Sequence, residues 1–106
     1  MIRDTDRVIL DEFAGQVRRL FPEARIWAYG SRARGDAEPD SDFDICVVLK
    51  KADREAGRKV SNIAWEVSFA HGMVITTICY SEAEFYRGPI AVSPLVRTIQ
   101  REGVAA

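Results

Sequence analysis

Two short groups of residues carry the chemistry that this sequence can support. Gly30 and Ser31 follow the apolar segment Arg25–Tyr29, and Asp42 and Asp44 stand at the entry to the next apolar segment. A glycine at a strand end lets the backbone approach a ligand closely, and a serine that opens a helix offers its hydroxyl and free N–H groups to a phosphate. The first group therefore predicts a phosphate-binding turn.

The two aspartates predict a metal site. Because they lie two residues apart in an extended segment, their side chains should leave one face of a strand, roughly 6–7 Å apart and opposite Phe43 and Ile45. Carboxylates this close repel each other, and the pKa of one should rise, unless a divalent ion neutralises them. Oxygen ligands suit hard cations, so Asp42 and Asp44 are predicted to bind Mg²⁺ or Mn²⁺.

Other site types fit the sequence less well. The spacing of Asp40, Asp42 and Asp44 imitates the start of a calcium-binding EF-hand loop, but Ile45 stands where that loop needs glycine and Lys51 where it needs glutamate. Neither a P-loop motif nor a G-x-G-x-x-G motif occurs. A glycine-serine turn or an acidic turn alone is also typical of solvated loops, so the functional interpretation rests on the two groups together.

The segments that must position these residues alternate between helical and extended patterns. Helices are predicted by apolar residues at helical spacing, and strands by short apolar runs rich in β-branched and aromatic residues. The predicted order is helix Asp4–Phe21, strand Arg25–Tyr29, strand Phe43–Leu49, helix Ala52–His71, strand Met73–Tyr80, and a last helix from Pro94 that ends at Gly103. We therefore expect an α/β (or α+β) fold with a three-stranded mixed sheet backed by helices, and one domain over residues 1–106.

Composition limits the classes of function. The chain has 47% hydrophobic and 29% charged residues, as ordinary globular domains do. With a net charge of −1, the chain has no overall positive electrostatic field that would hold long nucleic acid. Cys46 and Cys79 lie in apolar runs, which favours buried thiols in a reducing compartment. No apolar run is long enough to span a membrane and no signal peptide is evident, so a cytoplasmic location is expected.

The paired motifs resemble the signature of the DNA polymerase β-like nucleotidyltransferase superfamily, and the chain length resembles its minimal branch. Gly30, Ser31, Asp42 and Asp44 match the superfamily motif position by position. The resemblance implies that the glycine-serine pair grips a nucleoside triphosphate and that the aspartates bind Mg²⁺ for attack on the α-phosphorus. Arg34, beside the turn, is a candidate phosphate ligand because a guanidinium suits phosphate, although solvent exposure explains it almost as well.

The sequence departs from the superfamily at one point. Active members of that superfamily usually carry a third carboxylate on the next core strand, whereas the segment Met73–Tyr80 contains no Asp or Glu. Thr76 and Thr77 could bind a metal-bound water but cannot supply a charge or a general base. Glu66 and Glu82 lie outside that segment. Catalysis without a partner is therefore an open question.

The resemblance leaves three functions to compare. The first is an enzyme that transfers a nucleoside monophosphate from Mg-NTP, with ATP favoured, to a hydroxyl of a partner protein. The second is a catalytically weak antitoxin that acts by binding, since minimal members often accompany a small helical protein of the HEPN class. The third is a recruiting subunit of a larger transferase, because 106 residues leave no room for a helical acceptor-binding domain. Homo-oligomer formation is left open.

Three further residues have weaker claims. Arg32 flanks the turn and is a lesser phosphate candidate than Arg34. Trp65 and Phe69 are four residues apart on the predicted helix and turned away from its apolar stripe, so that helix has a second apolar face. Packing under the C-terminal segment and contact with another protein explain this face equally well.

Overall fold

The elements alternate along the chain much as the patterns indicate. The computed structural model describes residues 1–106. Two helices are long, two are single turns, and a short 3₁₀ turn precedes the last helix. The bounds are α1 Asp4–Leu20, β1 Arg25–Tyr29, α2 Gly30–Arg34, β2 Phe43–Leu49, α3 Arg54–His71, β3 Ile75–Ser81, α4 Glu82–Tyr86, the 3₁₀ turn Pro89–Val92, α5 Pro94–Glu102 and β4 Val104–Ala105.

Local sequence explains where the helices begin and end. Asp53 caps α3 by accepting from the Ala56 N–H at 2.8 Å, and Ser93 caps α5, which begins with Pro94. Gly72 ends α3 in the left-handed region at φ +64°, as its place after the apolar stripe predicts. No helix is long and apolar enough to cross a bilayer.

The strands form one mixed sheet in the order β3-β2-β1-β4. Strand β1 is antiparallel to both β2 and β4, whereas β2 and β3 run parallel. Helix α3 makes the crossover between β2 and β3, as a parallel pair requires. Strand β3 is therefore one edge of the sheet.

Strand β2 is buried on both of its faces, which is unusual for a sheet this small. Phe43, Ile45, Val47 and Leu49 belong to the main core of 19 residues, together with the apolar stripes of α1 and α3. Their neighbours on the other face, Cys46 and Val48, pack in a smaller cluster with Phe85, Val96 and Ile99. Strand β2 is thus packed between two apolar layers from Ile45 to Leu49.

The predicted three-stranded sheet is wrong in one respect, because the sheet has four strands. Strand β4 pairs Ala105 with Trp27 and Val104 with Ala28. It has only two residues, too few for an alternating pattern, so nothing in the sequence marks it as a strand. Helical spacing also predicts that Leu20 in α1 and Ala70 in α3 are buried with the apolar residues of their helices. Both are exposed, Leu20 over 54% of its surface.

Candidate functional site

The two groups of candidate residues meet at one end of the β1–β2 pair. Tyr29, the last residue of β1, lies opposite Asp44 in the antiparallel register. Gly30 follows Tyr29 and opens α2. The turn and the aspartate therefore lie on adjacent strands, at the same end of the sheet. The register of two buried strands therefore fixes the relative position of the two groups.

Gly30 and Asp44 approach so closely that only glycine fits. Gly30 has φ +78°, a region that other residues rarely adopt. A Cβ placed on Gly30 would lie 2.8 Å from Oδ2 of Asp44, which is shorter than a van der Waals contact. The turn at Gly30 and the Asp44 carboxylate are therefore direct neighbours.

Asp44 points away from the main core. Phe43 and Ile45, its neighbours in β2, are fully buried on the opposite face, as strand alternation predicts. Asp42 lies one residue ahead of β2 and is exposed, whereas Asp44 is half-buried. The Asp44 carboxylate is thus fixed in place, while the Asp42 side chain remains open to solvent.

Thr76 occupies the neighbouring position on β3. It is the register partner of Asp44, and its Oγ1 donates a hydrogen bond to Oδ1 of Asp44 at 2.6 Å. One carboxylate oxygen therefore accepts from Thr76 while the other faces Gly30. No group of three or more His, Cys, Asp or Glu side chains is placed to hold a metal ion, so these two aspartates have no acidic third member beside them.

The whole of this arrangement lies in a region that matches a known family. Residues 10–105 match the family model described as a nucleotidyltransferase domain. The chain belongs to that family. The predicted resemblance is therefore confirmed, and the fold that positions Gly30 and Asp44 is a nucleotidyltransferase fold.

Solved structures share the fold of this nucleotidyltransferase domain. One, assigned as a minimal nucleotidyltransferase, is 20% identical with a TM-score of 0.67, and the match covers 98% of this chain and 95% of that one. Another is a toxin–antitoxin complex with AMP-PNP, 18% identical with a TM-score of 0.65, covering 90% of this chain and 69% of that one.

A curated relative is much longer than this chain. The poly(A) RNA polymerase GLD2-B of Xenopus laevis is 27% identical over 82 residues. The match covers 76% of this chain but only 16% of that protein. The chain thus corresponds to a small part of that polymerase.

Arg32 of this nucleotidyltransferase domain has a structural position that the sequence did not reveal. It is only 6% exposed and pairs with the buried Asp6 of α1 at 3.2 Å. Its Nε and Nη2 donate to the Ser41 carbonyl at 3.0 and 2.9 Å, and Nη2 also donates to that of Pro39 at 3.1 Å. The guanidinium therefore ties α1 to the loop that leads into Asp42 and is not available to phosphate.

Arg34, unlike Arg32, is exposed. Its side chain is 53% exposed and lies 3.3 Å from Asp36, a surface pair that contributes little to stability. A guanidinium in such a pair remains free to exchange its partner for a more highly charged anion. Of the two arginines that flank the turn, only Arg34 is accessible to a ligand.

The titratable groups behind Asp44 are neutral. Burial first, and then the nearby Asp44 carboxylate, raises the pKa of Tyr29 to about 12. Burial likewise raises the pKa of the Cys46 thiol to about 12 and raises that of Cys79. Both cysteines are unpaired, Cys46 buried and Cys79 partly so, close to the prediction. With raised pKa values these groups stay uncharged near neutral pH, so they add no negative charge to that of Asp44.

Trp65 and Phe69 do not pack under the C-terminal segment. Their exposed fractions are 67% and 79%, and their rings stack on each other at 5.5 Å. Of the two explanations for the second apolar face of α3, packing within the chain is therefore wrong.

Proposed function

We propose that this nucleotidyltransferase domain binds a Mg²⁺–nucleoside triphosphate, with ATP favoured, between the Gly30-Ser31 turn and the Asp42 and Asp44 carboxylates. The observation that carries the proposal is the direct approach of Gly30 to Oδ2 of Asp44. Phosphates bound to the backbone of the turn would lie within reach of a cation held by the carboxylates. Arg34, exposed at the end of the same turn, would add a guanidinium for the phosphates.

The chemistry proposed is transfer of a nucleoside monophosphate to a hydroxyl. The acceptor oxygen forms a bond to the α-phosphorus, the bond to the β-phosphate oxygen breaks, pyrophosphate leaves, and the hydroxyl proton passes to solvent. Mg²⁺, when bound, neutralises charge on the phosphates and aligns the reacting oxygens. The protein's part is to hold the carboxylates and the turn in fixed register, which the doubly buried β2 does.

The acceptor proposed is a partner protein, which could be a helical protein of the HEPN class. Support comes from a toxin–antitoxin complex as a structural neighbour, and from the net charge of −1, which does not favour long nucleic acid. A second candidate function is binding without transfer. It is favoured by Thr76, which occupies the position beside Asp44 and brings no negative charge.

Transfer of labelled nucleotide tests this function. The chain is incubated with Mg²⁺ and α-³²P-ATP, alone and together with a small helical protein of the HEPN class, taken from the adjoining gene where that gene encodes one. We expect slow or no labelling by the chain alone, labelling of the partner by the mixture, and none when the chain carries Asp44→Asn. Efficient labelling of a hydroxyl by the chain alone would contradict the inference from the missing carboxylate. Binding of the partner without labelling would favour the second function.

A further inference from the structure

An uncharged groove runs between α3 and the outer edge of β3. It is open to solvent, has a volume of about 830 Å³ and is lined by twelve residues, none of which is Asp, Glu, Lys, Arg or His. Trp65 and Phe69 form one wall, and Val74, Thr76 and Thr77 lie along the other. A groove without cations is poorly suited to a nucleic-acid backbone, which proteins hold largely through Lys and Arg.

The apolar residues of the groove are unusually accessible. Trp65 and Phe69 are exposed over most of their surfaces, and Val74 is 58% exposed. Clustered apolar exposure of this kind marks interaction surfaces, whereas single exposed apolar residues are ordinary. The groove therefore has the composition of the centre of a protein interface, in which aromatic residues are enriched.

The sheet edge along the groove is open to another strand. The Phe43 N–H donates to the Val74 carbonyl at 2.8 Å, where β2 and β3 begin to pair. In a parallel pair, alternate residues bond to the neighbouring strand, so Val74 and Thr76 point their backbone groups toward β2 and the residues between them point outward. The outward N–H of Ile75 is taken by Ser68 Oγ at 3.0 Å. The backbone groups of Thr77 and Cys79 then face the open edge, to which an extended peptide can add.

The groove reaches the candidate site through one residue. Thr76 lines the groove and also donates its hydroxyl hydrogen bond to Asp44. A chain paired with the outer edge of β3 would be separated from Asp44 by one strand, and the Thr76 side chain is the group that lies between them.

We propose that this groove seats the acceptor, as an extended segment of a partner protein. An apolar side chain of that segment packs on Trp65 and Phe69, its backbone pairs with the edge of β3, and its hydroxyl-bearing residue lies next to Thr76. This inference rests on the proposed function and adds to it the surface by which the acceptor is recognised.

The test compares two pairs of substitutions at exposed residues. Trp65→Ser with Phe69→Ser alters the groove, and Val8→Ser with Val92→Ser is the matched control, since Val8 and Val92 are 64% and 63% exposed and lie outside the groove. With the same HEPN-class protein as acceptor, the groove variant should raise the KM for that protein at least about tenfold, as loss of interface aromatics commonly does. Its KM for ATP and its thermal midpoint should stay near wild type, as should all values of the control.

Four other results would contradict either the docking inference or the transfer function. Equal KM values for the acceptor in wild type and groove variant would overturn the docking inference while leaving the proposed function intact. Extension of the oligonucleotide r(A)₁₂ that depends on Trp65 and Phe69 would assign the groove to RNA. A wild-type dimer in sedimentation that the groove variant abolishes would assign it to a second copy. If wild type labels no acceptor although it binds Mg-ATP, the transfer function is wrong and the docking inference falls with it.

Discussion

Thr76→Asp should raise the rate of nucleotidyl transfer by a factor of about 10²–10⁴, the usual contribution of a general base. The reason is geometric. Thr76 is the residue of β3 opposite Asp44, and its Oγ1 already touches the Asp44 carboxylate. An aspartate there would supply the third carboxylate, able to bind metal and to accept the proton of the attacking hydroxyl. The measurement is single-turnover transfer from labelled ATP to the acceptor protein.

The neighbouring threonine provides the control. Thr77 belongs to the other face of the sheet, since Cys79 packs with the main core while Ile78 and Tyr80 pack with the smaller cluster. Thr77→Asp therefore adds the same charge without placing it beside Asp44. Because both threonines also line the groove, the rates are compared at saturating acceptor, where that of Thr77→Asp should not rise. The gain from Thr76→Asp should also require Mg²⁺, because two adjacent carboxylates repel each other without a cation. A rate that stays at the wild-type value would mean that another group, such as Glu66, already acts as the base.

Gly30→Val should abolish binding of Mg-ATP. A Cβ at Gly30 would lie 2.8 Å from Oδ2 of Asp44, so the substitution must displace the carboxylate or the turn. Ser31→Ala should weaken binding only by a factor of about 2–10, since it removes one hydrogen bond worth about 0.5–1.5 kcal/mol. Isothermal titration calorimetry with Mg-ATP measures both effects.

Gly72→Val separates backbone strain from contact. Gly72 shares the left-handed conformation of Gly30, with φ +64°, but a Cβ there would meet nothing within 4 Å. Both valine variants should therefore lose stability through strain, whereas only Gly30→Val should lose nucleotide binding. A folded Gly30→Val protein that binds Mg-ATP like wild type would show that the turn does not hold the phosphates.

Much of the site could be predicted because its signals are local. The strand Arg25–Tyr29 ends at a glycine, and Phe43–Leu49 follows a run of acids and turn formers, so both bounds agree with the structure. Alternation within β2 then places Asp44 opposite Phe43 without any knowledge of the fold. To predict the contact between Gly30 and Asp44 one must also know that the two strands pair antiparallel, with Tyr29 opposite Asp44.

The features that could not be predicted depend on distant parts of the chain. Asp6 stands in the first turn of a helix, where acids are ordinary, so its burial against Arg32 leaves no trace in the sequence. Which threonine of β3 meets Asp44 depends on the register of a parallel pair joined by a long crossover. Trp65 is likewise exposed because α5 packs on the face of the sheet opposite α3 and leaves α3 uncovered.

Binding of Mg-ATP to charge-neutral variants is the measurement that tests the central claim most directly. Asp42→Asn and Asp44→Asn keep the shape of each side chain and remove its charge, and Asp40→Asn makes the same change in the exposed loop just before them. Wild type and Asp40→Asn should bind Mg-ATP alike by calorimetry. Asp42→Asn and Asp44→Asn should each weaken binding at least about tenfold, because a unit charge about 4 Å away is worth about 1–4 kcal/mol. Equal affinity in all four proteins would contradict the assignment of Asp42 and Asp44 as the metal-binding pair.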